Sequence, residues 1–401
     1  MTKQIFKLVW NRKRFNILII AEIFFSFVAL FAAVTACVYY ADNYRQPLGF
    51  EWKQVWTIDI KSSGEGPGHT DQQEDAQEVA RTAQLLRTLR DQPEIEAVGA
   101  LMMTPFSVGM FSDNVTYKGR EFELVFNDAG DGIKDALGLR LVSGRWFDSS
   151  DDADNFEPVV INQKLARELF GTDDPVGKVL LDQAEYKRQR VIGVITDFRQ
   201  HGEFHGLNNY AFYRQRTDKT PLGKLGNLLV KVRPGTPAAF EEKLMGLLQS
   251  AAPDKTFRIE PLSKARRSHM KLALAPVAAL ALIVGFLILM VGLGMVGVVC
   301  QSVARRTREI GLRRAVGSPA NAIHIQVLGE LLVVSSVGLM LGAALVLQFP
   351  LLDLVSFLSA RVYATSLCLS AMIIYGLTLL SGLYPSLLAT RVQPSDVLRY
   401  E

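Results

Sequence analysis

Two histidines on either side of a carboxylate are the first residues in this chain that could do chemistry. His201 and His205 flank Glu203, and histidines four residues apart on a helix could begin a metal site. Gly202 and Gly206 disfavour a helix here, and the glutamate does not stand where the zinc-protease motif has it. The sequence therefore predicts a solvated loop and no metal.

A second candidate is the stretch 171–179, which comes closest to a phosphate-binding loop. It has five residues between its glycines where the motif has four, and Val179 stands where a Ser or Thr would hold magnesium. Nucleotide binding is therefore not expected here. Since no convergent catalytic set is visible elsewhere, we expect no enzyme activity, and ATP-driven work would need a partner chain.

A basic segment follows the charge-free run 272–299. From Arg305 to Gly317 it contains five arginines and one glutamate, and another apolar run covers 323–347. Short arginine-rich loops between spans stay on the cytoplasmic side. The segment is either a charge anchor alone or a short amphipathic helix that a soluble partner could grip, because Glu309 can pair with an arginine four residues away.

Glu22 and Glu330 are carboxylates well inside apolar runs. Each lies seven residues from the cytoplasmic start of its predicted helix, which is about 10 Å deep. Carboxyl groups in hydrocarbon are costly and normally face a bundle interior, a partner or water. We expect each to make a polar contact that sets the register of a span or of a second subunit. The alternative is a protonated carboxyl group with a local hydrogen bond.

These residues must be positioned by four apolar helices that are long enough to cross a bilayer. A helix over 272–299 would measure about 42 Å, against a hydrocarbon core of about 30 Å. The sequence predicts transmembrane helices at 15–40, 271–300, 323–348 and 366–390. It also predicts a cytoplasmic amphipathic segment at 1–14, a cytoplasmic loop at 301–322, a short outer loop at 349–365 and a cytoplasmic tail at 391–401.

The polar region 41–270 lies between the first two spans, and its patterns predict a mixed α/β domain. Alternating residues predict strands and helical spacing predicts helices, the strands at 55–60, 122–126, 159–161, 191–195, 228–232 and 257–259 and the helices at 74–90, 163–170 and 237–250. We expect a lobe near the membrane from 41–105 and 226–270, an inserted lobe from 106–225, and a flexible loop at 62–71. The fold class is thus an α-helical membrane protein with four transmembrane helices and a two-lobed extracytoplasmic domain.

Composition agrees with this class. The chain has 401 residues, 49% of them hydrophobic, with a formal net charge of +4. Much of the positive charge lies beside the spans, so nucleic-acid binding is not implied. No disulfide is expected in the polar domain because the three cysteines lie in or beside apolar runs, at Cys37, Cys300 and Cys368. Small residues predict close helix approach in two spans, at Gly285, Gly292, Gly294 and Gly297 of the second and at Gly338 and Gly342 of the third.

Two segments carry a family resemblance. Residues 305–317, followed by Glu330-Leu331-Leu332 and the two glycines of the third span, resemble the conserved block of MacB/FtsX-type ABC transporter permeases. The C-terminal Tyr384-Pro385-Ser386 and residues 393–401 are similar to that family's closing signature. In the polar domain, short motifs between residues 144 and 194 look like the MacB-type periplasmic core domain.

The resemblance implies a permease that works with a separate ABC ATPase, which would bind ATP and Mg²⁺, and with a second permease as a homo- or heterodimer. It assigns ATPase coupling to nine residues: Arg305, Arg306, Arg308, Glu309, Ile310, Arg313, Arg314, Ala315 and Gly317. A membrane-fusion protein and an outer-membrane channel are further partners that it allows. The location implied is the bacterial inner membrane, with the large domain periplasmic and both termini cytoplasmic.

For function, the resemblance implies that ATP hydrolysis moves the periplasmic domain, by mechanotransmission, to export a peptide, antibiotic, lipid or lipoprotein. An FtsX-like regulator that activates an envelope hydrolase without transport is the alternative. An enzyme in the extracytoplasmic domain is a third class, for which the sequence offers no catalytic set.

Overall fold

The computed structural model describes residues 13–62, 72–153, 155–181, 188–305, 319–352, 355 and 358–390. The chain divides into two compact units, one formed by Met1–Asp42 with Leu274–Glu401 and the other by Asn43–Ala273. We call the second unit the ectodomain. The flexible loop predicted at 62–71 lies, from residue 63 onward, outside the described residues.

The described helices and strands follow one another in mixed order. They are α1 (Lys13–Tyr44), β1 (Val55–Ser62), α2 (Gln72–Arg90), β2 (Ile95–Leu101), β3 (Phe111–Tyr117), β4 (Arg120–Ala129), α3 (Ile133–Ala136), β5 (Leu141–Gly144), β6 (Glu157–Asn162), α4 (Gln163–Phe170), β7 (Val179–Leu181), β8 (Gln189–Ile195), β9 (Tyr210–Arg214), β10 (Asn227–Val232), α5 (Phe240–Ala251), β11 (Lys255–Pro261), α6 (Leu262–Arg305), α7 (Ala320–Val346), α8 (Gln348–Leu351) and α9 (Ala360–Thr390). Short 3₁₀ turns cover Ser149–Ala153 and Leu222–Lys224. Each strand and helix predicted from the patterns of the polar region is present.

The described strands of the ectodomain form one mixed sheet of eleven strands. Its order is β11-β1-β10-β2-β4-β9-β6-β8-β5, with β3 paired to β4 and β7 paired to β8. The four strands from the two ends of the ectodomain lie side by side at one end of this order. They meet the remaining strands where Leu101 of β2 pairs with Ala129 of β4. The predicted boundaries of two lobes stay a prediction.

The two faces of the sheet bury different hydrophobic cores. Along β10, Leu228 and Val230 belong to the core that α2 and α5 cover, whereas Leu229 belongs to the core on the other face. Successive side chains of a strand point to opposite faces, so this central strand is apolar at consecutive positions. The core that contains Leu229 also contains Phe198 and Tyr210, which lie beside the candidate site described below.

Four described helices are long and apolar enough to cross a membrane, over Ile19–Tyr44, Leu262–Gly297, Leu328–Leu351 and Ala360–Leu383. The second differs most from its prediction, because α6 begins at Leu262 instead of residue 271. Residues 262–271 are mostly polar, so hydropathy starts the predicted span too late to include them, yet the backbone is already helical. With 44 residues, α6 is about 66 Å long.

In the membrane unit, glycines and hydroxyl groups join the spans. A Cβ atom added at Gly338 would lie 2.9 Å from Cγ2 of Ile23, and one at Gly342 would lie 2.5 Å from Cδ1 of Phe27. The predicted close helix approach is therefore confirmed for the third span, where it joins α7 to α1 within one chain. It is wrong for Gly285 and Gly297 of α6, where an added Cβ atom meets nothing within 4 Å among the described residues. Between α7 and α9, a hydroxyl hydrogen bond of 2.8 Å joins Ser336 and Tyr375.

Candidate functional site where the second span leaves the ectodomain

The first turns of α6 are bound firmly to the ectodomain. Leu262 is fully buried in the core. One turn later, Nε of Arg266 donates a hydrogen bond of 2.6 Å to Oε1 of Glu203. The Arg266 guanidinium also lies 4.4 Å from the ring centre of Trp52. Since the Glu203 side chain is only 8% exposed, this ion pair fixes the start of the helix against the domain.

The short segment that contains Glu203 also binds the end of the first span helix, α1. We call residues 199–206 the junction loop. Nη1 of Arg199 donates to the carbonyl oxygen of His205 at 2.8 Å and to Oδ1 of Asn43, in the last turn of α1, at 3.4 Å. Phe204 stacks on Tyr44 with ring centres 5.5 Å apart. One loop therefore contacts both the chain that enters the ectodomain and the helix that leaves it.

The prediction of a solvated loop at His201–His205 is wrong for most of these residues. His201, Glu203 and Phe204 are buried, and His205 is exposed. The loop is buried because its charged and aromatic side chains pair with α1 and α6, which are far away in sequence. His205 lies between His201 and His269, with ring centres 5.5 and 5.4 Å away. Within the described residues, no group of three potential ligands is arranged to hold a metal ion.

Burial lowers the pKa of His201 below its ordinary value. The neighbouring His205 lowers it further, and the hydrogen bond to the Gly109 carbonyl opposes this effect. A histidine with a lowered folded-state pKa stays neutral on folding, so the unfolded chain binds more protons as the pH falls through about 6.5. The contribution of this residue to stability is therefore present above that pH and is lost below it.

We expect His201→Gln to reduce the acid sensitivity of the ectodomain. The amide can still donate to the Gly109 carbonyl, but it cannot take up a proton in the unfolded chain. The measurement is the thermal midpoint, followed by tryptophan fluorescence, at about pH 7.5 and about pH 5.5. The wild type should lose more of its midpoint over this interval than the variant. An equal loss would contradict the assignment.

The predicted coupling residues lie almost entirely outside the described part of the chain. Arg305 is the last residue of α6. The other eight, Arg306, Arg308, Glu309, Ile310, Arg313, Arg314, Ala315 and Gly317, fall between that helix and Ala320, where α7 begins. Their role stays a prediction. What the structure adds is that the basic segment directly follows the same continuous helix that Arg266 fixes to the ectodomain.

The two carboxylates in the spans have different surroundings. A Cβ atom added at Gly294 of α6 would overlap with Oε1 of Glu22, so the Glu22 side chain lies directly against that helix. Glu330 accepts a hydrogen bond of 3.2 Å from Nε2 of Gln326, one turn earlier on α7. Glu22 thus contacts a second span, whereas Glu330 has a local partner on its own helix. The functional roles predicted for both stay predictions.

Sequence reasoning missed the ion pair of the junction. Glu203 and Arg266 are 63 residues apart, and each belongs to a polar segment that contains other charged residues. A weak signal was available, since the pattern of 262–271 is compatible with a helix and places Arg266 one turn after Leu262. Its partner could not be identified without the tertiary structure.

The fold and this junction define the class: a multi-pass membrane protein that carries an α/β domain between its first and second spans. Residues 16–247 match the MacB-like periplasmic core domain, and residues 281–394 match the FtsX-like permease C-terminal domain. The chain belongs to this family of MacB/FtsX-type ABC transporter permeases. Its large domain is therefore a periplasmic core domain, which confirms the resemblance described above.

Similar proteins include two named macrolide export ATP-binding/permease protein MacB. The one from Burkholderia lata is 30% identical over 70% of this chain and 42% of its own length. The one from Neisseria gonorrhoeae is 26% identical over 71% of this chain and 45% of its own length. The crystal structure of the periplasmic region of MacB from Actinobacillus actinomycetemcomitans is 21% identical, covers 54% of this chain and 92% of that one, and has a TM-score of 0.36. This chain spans less than half the length of the two relatives that it matches.

Proposed function

We propose that this permease converts ATP hydrolysis by a separate ABC ATPase into movement of its periplasmic domain, which extrudes a substrate. The observation that carries the proposal is the continuity of α6. This helix runs unbroken from Leu262, in the ectodomain core, to Arg305 at the start of the basic segment. A displacement of its cytoplasmic end is therefore transmitted along one helix to the Arg266–Glu203 ion pair.

The ATPase would bind the basic segment 305–317 on the cytoplasmic side. Arginine-rich loops between spans stay in the cytoplasm, and the basic N-terminal segment supports the same orientation, with both termini inside. ATP and Mg²⁺ would be held by the ATPase subunit. Four spans surround too little space for a large pathway, which supports a second permease in the complex, as a homo- or heterodimer. A membrane-fusion protein and an outer-membrane channel fit the same arrangement.

The substrate would be a peptide, antibiotic, lipid or lipoprotein that is taken from the outer side of the bacterial inner membrane. Two relatives are named as macrolide exporters, which supports an amphipathic antibiotic as the first substrate to test. The size of the ectodomain, Asn43–Ala273, supports a role in handling substrate. No pore through the spans is required, because the work is done by the moving domain.

The test is a charge reversal in the basic segment. We expect Arg313→Glu with Arg314→Glu to reduce ATP-dependent efflux of a labelled macrolide from intact cells by about tenfold or more, since like charges at a docking surface cost several kcal/mol. The measurement pairs efflux from cells with ATP hydrolysis in membrane vesicles that contain permease and ATPase. Hydrolysis should continue without matching transport.

The matched control reverses two charges in the ectodomain. Arg87 and Arg90 are both exposed in the last turn of α2, so Arg87→Glu with Arg90→Glu changes the net charge equally and leaves the cytoplasmic surface intact. This control should transport as the wild type does. Unaltered coupling in the Arg313 and Arg314 variant would contradict the proposal.

A further inference from the structure

Three large apolar side chains are exposed where one loop of the ectodomain leads into β3, whose first residue is Phe111. Val108 is 81% exposed, Met110 is 44% exposed and Phe111 is 43% exposed. We call residues 107–111 the apolar loop. Single exposed hydrophobic residues are ordinary, but three large ones within four positions concentrate exposed apolar surface at one place, as binding surfaces do.

The backbone of the apolar loop is held in place. The Gly109 carbonyl oxygen accepts hydrogen bonds from Oγ of Ser107 at 3.2 Å and from Nε2 of Gln200 at 3.3 Å. The amide of Phe106 donates to the Gln200 carbonyl oxygen at 2.7 Å. Phe106 is buried and has a φ of 67°, a conformation that residues other than glycine rarely adopt. The surroundings therefore fix the loop and present its apolar side chains outward.

The apolar loop lies beside α6 close to the point where that helix becomes apolar. The ring of Phe106 is 6.3 Å from the ring of His269. Leu272 is three residues further along, so it lies on the same face of the helix as His269 and about 4.5 Å nearer to the membrane. Leu272 is 63% exposed and begins the charge-free run 272–299. The helix that Phe106 contacts therefore becomes apolar and exposed within one turn of that contact.

Positive charge is also present on α6 just before the charge-free run begins. Arg267 and Lys271 are exposed on the same stretch of α6. Cations next to exposed apolar side chains are the combination that binds the boundary between anionic headgroups and acyl chains. A second protein could cover apolar residues, but the position one turn before a charge-free span favours lipid.

We propose that Val108, Met110 and Phe111 dip into the outer leaflet of the bilayer around α6, so that the apolar loop is a second membrane contact of the ectodomain. The occupant of this surface is lipid, with the cations of α6 binding its headgroups. The contact restrains the ectodomain through lipid, in addition to its two covalent connections. The contact does not depend on the ATPase, so the experiment below tests it independently of the proposed function.

The experiment measures which quencher reaches a fluorophore on the loop. Full-length protein is prepared with Cys37, Cys300 and Cys368 replaced by serine, a single cysteine is introduced by Val108→Cys, and a bimane label is attached. Nanodiscs contain phosphatidylethanolamine and phosphatidylglycerol, with or without a lipid that bears a nitroxide near the headgroup. The control carries Lys118→Cys, beyond the far end of β3, about 20 Å from Phe111.

We expect the nitroxide lipid to quench the label at position 108 and to leave the label at position 118 unaffected. Iodide in the buffer should quench position 108 at least about threefold less than position 118, because the interface excludes the ion. Equal iodide quenching at both positions would overturn the proposal. Protection at position 108 from both quenchers would also overturn it, because a protein surface would then cover the loop. Met110→Cys is a second site in case the first variant is poorly folded.

Discussion

Arg266→Glu is expected to lower the thermal midpoint of the ectodomain by about 6–12 °C. The substitution places a second carboxylate beside Glu203, whose side chain is 8% exposed, and it removes the guanidinium from Trp52. An unpaired buried charge costs about 3 kcal/mol, and each kcal/mol shifts the midpoint of a domain of this size by about 2–4 °C. Tryptophan fluorescence is a suitable readout, since Trp52, Trp56 and Trp146 all lie in the ectodomain.

The neighbouring Arg267 is the matched control for this prediction. It is exposed, so Arg267→Glu should shift the midpoint by less than about 2 °C. The reciprocal pair Glu203→Arg with Arg266→Glu should recover part of the loss, because the opposite charges meet again. Equal effects of the two single arginine variants would show that the ion pair does not hold the start of α6. Transport coupling should follow the same ranking if α6 transmits motion.

Gly342→Ala and Gly338→Ala are expected to destabilise the membrane unit by about 1–3 kcal/mol each. The added methyl group at Gly342 would meet the ring of Phe27, which is 1% exposed. At Gly338 it would meet Ile23, also 1% exposed, and would lie 3.1 Å from the carbonyl oxygen of Ile20. A β-branched side chain and a backbone atom cannot move aside easily. The measurement is the temperature at which the purified protein in mild detergent loses its monodisperse elution peak.

Other glycines in the spans provide controls with the same chemistry. A Cβ atom added at Gly376 of α9 or Gly285 of α6 meets nothing within 4 Å. Alanine at these positions should be neutral or should stabilise by up to about 1 kcal/mol, because it favours the helix. If alanine at Gly342 were equally well tolerated, the close packing of α7 on α1 would be refuted.

Two strands of the ectodomain do not follow from the alternation of their own residues. Alternation does not predict β9, because Tyr210, Ala211 and Phe212 form a continuous apolar run that is buried between β4 and β6. It also does not predict β3, whose side chains are mostly exposed and polar, and which is held as a strand by its pairing with β4. Both strands depend on their neighbours in the sheet more than on their own periodicity.

The sequence by itself determined the four apolar helices, the basic segment after the second span and most strands and helices of the ectodomain. These features depend on local periodicity and on the cost of placing charge in lipid, which a short stretch of chain already expresses. The burial of His201 and the pairing of Glu203 with Arg266 were decided only by the tertiary structure. Each of them joins residues that are distant in sequence. Burial deprives a charge of its hydration, and only the fold brings up the opposite charge that offsets this cost.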